Sequence, residues 1–505
     1  MSGHICRMHN GTAVPLAKVP PSDSDSFFQE MLDAITGGWR VSSYFGIPGD
    51  GDVELFCILS SKVDGVIGVT RTTVTGSFPS LAGIFPQLHL FEREIAEQCS
   101  LAPLDHPWLK PVRFQHPFNN APPFWKDGKG SDLLPGVMPY YRIGGEEIHE
   151  VAVGPVHAGI IEPGHFRFQC HGEEVFNLEI SLGYQHRGIE RSLFGGPHPR
   201  TMYQMETVAG DTTIGHGQAY CMAIEALGGV RVPPHAEAVR GIALELERLA
   251  NHTGDLGAIA GDVGYLPTAS FCGRIRGDFL NMSAAICGSR FGRGTVRPGG
   301  VGFECGKTLA DDLQTRLEAA RADLTNAVEL LWETPSVMGR LEGTGPVSSE
   351  TAREIGLVGP AARASGLNRD VRRDHSFGIY QLSQIPVVTA QSGDVYARTL
   401  IRWLEAERSM NYITEQLRQL PGGSIRSAPG TIGADRLAVA LTEGWRGEIC
   451  HVAITDNIGR FRRYKIVDPS FHNWQGLALA LRGEQISDFP LCNKSFNLSY
   501  CGFDL

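Results

Sequence analysis

Three side chains that could move a proton lie close together in the segment SLGYQHRGIE, which spans residues 181–190. They are His186, Arg187 and Glu190, and they follow a predicted strand directly. Imidazole and carboxylate groups can exchange protons near neutral pH, and a guanidinium beside them changes their proton affinity. The segment therefore predicts either a proton relay or a salt-bridged structural turn, and its spacing favours neither.

A second pair of titratable side chains lies just before a predicted helix. The segment AGDTTIGHG, residues 209–217, carries Asp211 and His216. Acidic residues at such a place commonly cap the helix by accepting hydrogen bonds from its first backbone N–H groups. Asp211 and His216 are therefore interpreted either as members of the same proton relay or as residues that only begin the helix.

The eleven cysteines are scattered along the chain and never occur as C-x-x-C. That spacing is the commonest way in which one loop places two thiolates on a metal. Because the number of cysteines is odd, a disulfide framework is not expected either. We predict that this chain has no sequence-local iron–sulfur or zinc site and that its cysteines act as small buried apolar residues.

The composition excludes two classes of partner. The 505 residues include 45 Lys and Arg against 55 Asp and Glu, a formal net charge of -10, so no overall basic charge attracts nucleic acid or an anionic bilayer. No segment approaches the roughly 18 uncharged apolar residues of a membrane-spanning helix, and the N-terminal residues lack the apolar core of a signal peptide. We expect a cytoplasmic protein that meets a membrane only through other proteins.

The spacing of apolar residues predicts an α+β fold in two units. Residues 1–113 alternate β-rich and helical stretches, which predicts a small α/β domain. Residues 114–143 are rich in Pro, Gly, Asn and Asp and predict a linker or an extended arm. Residues 144–505 begin with strands and continue with long amphipathic helices. One of these follows Pro233 and Pro234 and has an apolar stripe of Val239, Ile242, Leu246 and Leu249. This second unit is expected to be a mostly helical bundle with a peripheral β-sheet.

Five collinear motifs in the second unit resemble those of one family. They are VGPVHAGIIEPGHFRF at 153–168, HGEEVFNLEISLGYQHRGIE at 171–190, RPGGV at 297–301, SGLNRDVRRD at 365–374 and GDVYARTLIRWLEAERS at 393–409. The family is the large catalytic subunit of group 4 nickel–iron hydrogenases, the membrane-bound, energy-converting type of formate hydrogenlyase. It is homologous to the quinone-site subunit of respiratory complex I. The resemblance implies the fold of a nickel–iron hydrogenase large subunit.

The first unit resembles a second module of the same complexes. FEREIAEQCSLAPLDHP, residues 91–107, is similar to the signature helix and loop of the small hydrophilic complex I subunit that packs beside the quinone-site subunit. In formate hydrogenlyase these two modules are fused in this order. The resemblance implies that residues 1–113 are such a module, and the predicted linker falls where the fusion requires one.

The resemblance also allows the metal ligands to be compared. The family holds nickel and iron with two C-x-x-C pairs, the first in the pattern C-G-x-C-x-x-x-H. AGDTTIGH stands there in this chain, so Ala209 and Thr212 occupy the first two cysteine positions. At the C-terminus, Ser499 and Gly502 occupy the other two, and Cys501 is one residue out of register. Hydroxyl groups are poor ligands for a soft metal pair, which implies that this chain binds no nickel–iron centre.

The quinone site of the complex I subunit is also incompletely matched. Where that subunit has the tyrosine thought to meet the quinone head, this chain has Gly210. The hairpin histidine that faces the quinone has no clean match, although His165 lies in the corresponding hairpin. Quinone therefore stays open as a ligand, with His165, Asp211 or His216 as the proton donor.

The sequence thus predicts a hydrogenase-like subunit of a membrane-associated, ion-translocating redox complex, without a cofactor of its own. The resemblance implies two kinds of partner: an iron–sulfur small subunit that carries the cluster, and membrane-embedded antiporter-like subunits. Two alternatives stay open, a quinone-reducing subunit of the NADH dehydrogenase type and a functional formate hydrogenlyase or hydrogenase subunit. A tunnel among the four replaced cysteine positions would favour quinone, and a filled space would favour a structural or conformational role.

Overall fold

The computed structural model describes residues 5–119, 121–122, 124–125, 138–159 and 161–505. Part of the predicted linker at 114–143, including residues 126–137, lies outside the described residues.

The first part of the chain contains both strands and helices. Its elements are β1 (Cys6–Met8), β2 (Thr12–Pro15), β3 (Pro21–Ser22), α1 (Ser24–Thr36), β4 (Arg40–Pro48), β5 (Val53–Ser61), β6 (Val66–Val74), β7 (Ser77–Pro79), α2 (His89–Cys99) and β8 (Ala102–Leu104). One sheet has the strand order β1, β6, β5, β4, and β3 pairs with β6. Because α1 packs against β6 and α2 against β4, nearly all of β4 and β5 is buried.

The second part combines many helices with several sheets. Its elements are β9 (Ile148–Val153), β10 (His165–His171), β11 (Glu174–Ser181), α3 (Ile189–Ser192), α4 (Thr201–Met205), α5 (Thr213–Gly228), α6 (Pro234–Asp262), α7 (Leu266–Cys287), β12 (Val296–Arg297), β13 (Gly300–Val301), α8 (Lys307–Trp332), α9 (Pro335–Leu341), α10 (Ser349–Glu354), α11 (Gly359–Ala364), α12 (Val371–Asp374), α13 (Val395–Arg418), β14 (Arg436–Gly444), β15 (Gly447–Thr455), β16 (Phe461–Val467), α14 (Pro469–Ala480), α15 (Phe489–Phe496) and α16 (Tyr500–Phe503). The chain therefore has the mixed helix and sheet content that the sequence predicts.

Four long helices, α6, α7, α8 and α13, form a bundle. Helix α6 begins with Pro234, which fits the first turn because the N–H groups there have no partner within the helix. Its predicted stripe of Val239, Ile242, Leu246 and Leu249 is buried, and α6 packs against α7 and α13. Within the part of the chain that the structure describes, none of the helices is both long and apolar enough to cross a membrane.

A four-stranded antiparallel sheet with the order β16, β15, β14, β2 lies inside the molecule. Every residue of β15 is buried, as is all of β14 after its first residue. Strands β11, β10 and β9 form a separate three-stranded sheet. The sequence pattern predicts a peripheral sheet but not an interior one. The strands RLAVALTEG and GEICHVAIT are mostly apolar on both faces, and such runs lack the alternation that identifies a half-buried strand.

The two predicted units are joined by strand pairing and by a shared core. Strand β2 pairs with β14, with Pro15 opposite Arg436 and Thr12 opposite Val439. Buried apolar residues from both parts form one continuous cluster. The boundaries 1–113, 114–143 and 144–505 stay a prediction.

Candidate functional site

Four buried polar side chains are hydrogen bonded in series at the centre of the second part, and we call them the His216 network. Asp468 precedes α14, and its Oδ2 lies 2.9 Å from Nε2 of His216 in α5. Nδ1 of His216 lies 3.0 Å from Nε2 of His451 in β15. Nδ1 of His451 lies 2.8 Å from the hydroxyl of Tyr464 in β16. None of these four residues is exposed to solvent.

The His216 network has two self-consistent arrangements of hydrogens, which differ by one proton. In both arrangements His216 donates from Nε2 to the Asp468 carboxylate. In the first, Tyr464 donates to Nδ1 of His451, and His451 donates from Nε2 to Nδ1 of His216. In the second, His216 is an imidazolium that donates to His451, and His451 donates to the Tyr464 oxygen. The hydrogen bonds between His216 and Tyr464 can therefore run in either direction through an exchange of donor and acceptor roles.

Burial and charge set the protonation of the other members of the network. Burial alone would raise the pKa of Asp468, but the hydrogen bond and charge of His216 and the charge of Arg446 lower that pKa below its ordinary value. Burial lowers the pKa of His451 well below its ordinary value, and His216 acts in the same direction. Burial raises the pKa of Tyr464 well above its usual range. At neutral pH Asp468 is thus a carboxylate, and His451 and Tyr464 are neutral.

Asp211 lies beside this network and is held by a bidentate arginine. Arg446, in the turn between β14 and β15, donates from Nη1 and Nη2 to the two carboxylate oxygens of Asp211 at 2.6 and 2.8 Å. Its guanidinium lies 3.9 Å from the centre of the Trp445 ring, and the Trp445 ring N–H donates to Thr212 Oγ1 at 3.2 Å. These contacts fix the loop before α5 against the interior sheet.

The capping role considered for Asp211 is filled by another side chain. Glu247 of α6 accepts the backbone N–H groups of Ile214 at 2.6 Å and of Gly215 at 3.1 Å, in the first turn of α5. The carboxylate of Asp211 contacts Arg446 instead. Asp211 and His216, although close in sequence, therefore take part in different sets of contacts.

The four positions compared with the family's cysteines lie on two neighbouring segments, residues 207–212 and 499–502. Arg187 bridges these segments, because its guanidinium donates to the carbonyls of Thr207 and Val208 at 2.7 and 2.8 Å and to that of Cys501 at 3.1 Å. Arg187 thus has a positioning role. The four positions are all buried: Ala209, Thr212, Ser499 and Gly502.

Oxygen atoms surround the C-terminal pair of these positions. A Cβ built on Gly502 would lie 2.7–2.9 Å from the carboxyl atoms of Asp468, which is closer than a carbon side chain can approach. Ser499 caps α16, since its Oγ accepts the N–H of Gly502 at 2.9 Å. Among the described residues, no group of three or more His, Cys, Asp or Glu side chains is placed to hold a metal ion.

Glu190 lies in a buried ion-pair cluster that connects α3 to β16 and α2. Its Oε2 accepts from Arg463 at 2.9 Å, and its Oε1 lies 3.0 Å from Nζ of Lys465. Lys465 also donates to Glu94 of α2 at 2.7 Å. Burial alone would raise the pKa of Glu190, but the charges of Lys465 and Arg463 hold that pKa well below its ordinary value. These contacts are typical of a salt-bridged turn, the second of the two readings of this segment.

The other two predicted histidines have partners outside the His216 network. Burial, together with the charge of Arg113, lowers the pKa of His186 to about 4. His165 in β10 contacts the carbonyl of Gly154 through Nδ1 at 3.2 Å, and burial lowers its pKa as well. Of the five residues predicted to form a relay, the structure places only His216 in the His216 network.

Sequence reasoning missed the partners of His216. His451 interrupts the apolar run GEICHVAIT, and a polar side chain in such a run usually has a hydrogen-bonding partner. The sequence therefore contains a signal that His451 has a buried partner. Asp468 precedes Pro469, a helix-start signal, and it does cap α14 by accepting the N–H of Ser470 at 2.8 Å. Its second role as the acceptor of His216 cannot be read from local sequence.

Comparisons with known proteins agree with this fold and with the sequence motifs. The sequence profile of a family described as the respiratory-chain NADH dehydrogenase 49 kDa subunit matches residues 262–435. The carbon monoxide-induced hydrogenase of Rhodospirillum rubrum is 32% identical over 354 residues, which cover 69% of this chain and 97% of that protein. Formate hydrogenlyase subunit 5 of Escherichia coli is 29% identical over 500 residues, 93% of this chain and 85% of that protein. NADH-quinone oxidoreductase subunit 4 of Thermus thermophilus is 29% identical over 369 residues, 68% of this chain and 90% of that protein.

These similarities confirm the family resemblance seen in the motifs. The identity of the N-terminal module and the loss of the metal-binding cysteines stay predictions. The match to the R. rubrum protein extends over nearly all of that protein. The chain therefore belongs to the family that contains these hydrogenase subunits and the 49 kDa subunit of respiratory-chain NADH dehydrogenase.

Proposed function

We propose that this chain is a hydrogenase-like subunit of a membrane-associated, ion-translocating redox complex and that it works without a nickel–iron centre. The family supports the first half of the proposal. Relatives carry the names formate hydrogenlyase subunit 5, NADH-quinone oxidoreductase subunit 4 and, in Pyrococcus furiosus, membrane-bound hydrogenase subunit alpha. The second half rests on the side chains at the four compared positions.

The observation that carries the proposal is the contact between Asp468 and Gly502. A cysteine at position 502 would place its Cβ within 3 Å of the Asp468 carboxyl carbon, so a thiolate there and Asp468 in its present place exclude each other. The same carboxylate accepts the hydrogen bond of His216. A nickel–iron pair requires soft anionic sulfur, and the atoms offered here are a carboxylate, hydroxyls and the single thiol of Cys501, 3.4 Å from Ser499 Oγ, whose pKa is raised by burial to about 11. The residues present therefore do not fit that metal pair.

In this proposal the His216 network supplies a proton-accepting element at the centre of the subunit. Asp468 places a negative charge beside Nε2 of His216, and the neutral pair of His451 and Tyr464 can reverse its hydrogen bonds when a proton enters the network. A change in proton position thereby reaches β15 and β16 of the interior sheet. This is the kind of local electrostatic change that can couple a redox partner to a conformational change.

The proposal includes partners that this chain does not contain. An iron–sulfur small subunit would carry the electrons, and membrane-embedded antiporter-like subunits would move the ion. The chain would then sit on the cytoplasmic face of the membrane, held there by these partners. Formate, carbon monoxide and NADH are the electron donors to try, because they occur in the names of the relatives.

Two observations support a second candidate, a quinone-reducing subunit. Gly210 is exposed, and a Cβ placed on it would meet nothing within 4 Å, so the space at this position is open. Nε2 of His165 is buried without a hydrogen-bond partner among the described residues. Because Nδ1 of this ring donates to the Gly154 carbonyl, Nε2 is an acceptor in the neutral imidazole, and the hydroxyl of a quinol could donate to it.

Isolation of the complex from its membranes, through a tag on the N-terminus of this chain, tests the proposal. We expect an iron–sulfur subunit and integral membrane subunits to co-purify with the chain and the complex to evolve no hydrogen from reduced viologen. Hydrogen evolution would support the hydrogenase alternative and contradict the proposal. Purification of the chain as a partner-free, monodisperse monomer would contradict the membership of a complex. Quinone reduction that is lost in His165→Ala would favour the second candidate.

A further inference from the structure

A cavity of about 300 Å³ lies between the two parts of the chain. The first part contributes residues 37–40 and 60–64 to its lining, and the second contributes residues 357–359 and several from 369–375. None of the lining residues belongs to the His216 network. The volume is that of the smaller ligand pockets in proteins. It is about ten times the volume that one molecule occupies in liquid water.

Arg369 lines this cavity and has no partner for its charge. Its guanidinium makes no hydrogen bond or ion pair with any described residue, and its Nη1 is buried. Burial and the charge of Arg40 lower the pKa of Arg369 to about 10, so the side chain is still a cation at neutral pH. The residue as a whole is partly exposed, and the carboxylates of Glu448 and Asp374 act on its charge without contacting it. Its buried Nη1 is therefore a free donor that an acidic ligand in the cavity can satisfy.

The carboxylates of the lining already have other partners. Glu448 is ion paired with Arg40, and Asp374 lies 2.6 Å from a guanidinium nitrogen of Arg373. Lys62, at the exposed side of the cavity, donates to a backbone carbonyl and can direct its other N–H groups to a ligand. Of the remaining carboxylates, Asp370 and Glu443 are ion paired with Arg363. Asp64 accepts a hydrogen bond from the hydroxyl of Ser61.

Two further polar atoms are buried at the cavity without a partner among the described residues, Nδ1 of His375 and Oε1 of Glu448. The His375 residue is only 6% exposed, so water does not readily satisfy its ring. An imidazole N–H can donate to an oxyanion, whereas the free Glu448 oxygen needs a donor. The unsatisfied groups of the cavity thus match a ligand that has both an acidic group and a hydroxyl or amino group.

We propose that this cavity binds a small organic oxyanion, a carboxylate or a phosphate ester, through Arg369 and Lys62. A hydroxyl or amino group of the same ligand donates to Glu448. The guanidinium pairs with either kind of oxyanion in a bidentate manner, and the ammonium adds a point charge. Because both parts of the chain contribute to the cavity, the ligand stabilises their contact. This site goes beyond the proposed redox function and does not depend on it.

Calorimetric titration of the purified full chain at low ionic strength tests the site, with malate, ribose 5-phosphate and inorganic phosphate as probes. We expect one of the two organic anions to bind at least about tenfold more tightly than inorganic phosphate, because only the organic anions bring a hydroxyl donor on a carbon frame. Comparison of malate with ribose 5-phosphate identifies the oxyanion. Arg369→Gln should weaken binding about tenfold or more, and Lys62→Gln several-fold. Lys18→Gln, at an exposed lysine outside the lining, should leave binding unchanged.

A second readout separates ligand binding from a structural role of Arg369. Added ligand should raise the midpoint of thermal unfolding of the wild type, and this increase should disappear in Arg369→Gln. Without ligand the midpoint of the variant should stay close to that of the wild type, because the guanidinium makes no hydrogen bond or ion pair with the described residues. The proposal is overturned if none of the three anions binds at millimolar concentration. It is also overturned if Arg369→Gln binds as well as the wild type, or if the ligand-free variant is less stable.

Discussion

Replacement of Arg363 by methionine should lower the free energy of unfolding by about 3–5 kcal/mol, the usual cost of removing one partner from a buried ion pair. Arg363 is fully buried in α11. It donates from Nε to Glu405 at 2.7 Å and from Nη1 to Glu443 at 2.8 Å, and Asp370 lies 3.5 Å away. Methionine occupies a similar volume but leaves these carboxylates with less positive charge nearby. Because the cluster joins α11, α13 and β14, its loss weakens the support of the interior sheet.

The matched control is Arg316→Met on the exposed face of α8. Arg316 also has a carboxylate partner, Asp312 at 2.9 Å, but its side chain is 48% exposed. Surface pairs of this kind contribute about 0–1 kcal/mol. Chemical denaturation of the purified variants measures both changes. A loss of less than about 1 kcal/mol for Arg363→Met would mean that the buried cluster is not a determinant of stability.

Asp468→Asn should reduce coupled ion translocation by about tenfold or more while the complex still assembles. Asparagine keeps the shape of the side chain, and its single carbonyl oxygen can still accept the hydrogen bond of His216, while its Nδ2 then faces the backbone N–H of Ser470 that the second carboxylate oxygen accepts. It removes the negative charge beside Nε2 of His216, and loss of a group that takes part in proton transfer typically lowers a rate by about 10²–10⁴-fold. The measurement is donor-driven proton movement in membrane vesicles, normalised to the amount of assembled complex.

Asp311→Asn is the control for this charge removal. Asp311 is on α8, its side chain is 67% exposed, and its one ion pair with Lys307 is long, at 3.9 Å. We expect full translocation in this variant. Normal translocation in Asp468→Asn would exclude a proton-accepting role for the network. Failure of Asp468→Asn to assemble would assign Asp468 a structural role, through its contacts with His216 and the N-terminus of α14.

The fold could be predicted from sequence where the signal is local. Helix α6 was predicted because Val239, Ile242, Leu246 and Leu249 repeat at helical spacing, and all four residues are buried. The interior sheet could not be predicted in this way, since the sequence of β15 has no alternation. The pairing of β2 with this sheet is even harder to predict from sequence, because β2 is a short strand of the first part and its partner β14 lies near the other end of the chain. Periodicity describes one segment at a time and contains no information on distant partners.

The candidate site shows the same limit. His216 was identified from its place before a helix and from the resemblance, but its partners His451 and Asp468 lie 235 and 252 residues further along the chain. For Glu190, the sequence left a relay and a salt-bridged turn equally open. The contact that bears on this choice comes from Arg463, 273 residues away. The partners of such buried charges lie far apart in the sequence and meet only in the folded chain.

The central claim, that this subunit works without a nickel–iron centre, is tested most directly by the metal content of the isolated complex. The complex should be purified from cells grown with added nickel, and nickel and iron should be measured per chain by mass spectrometry. We predict nickel far below one atom per chain, and iron that is accounted for by the clusters of the partner subunits. One nickel atom per chain, lost on removal of this subunit, would contradict the claim and would mean that the residues around Thr212 and Gly502 rearrange to hold a metal.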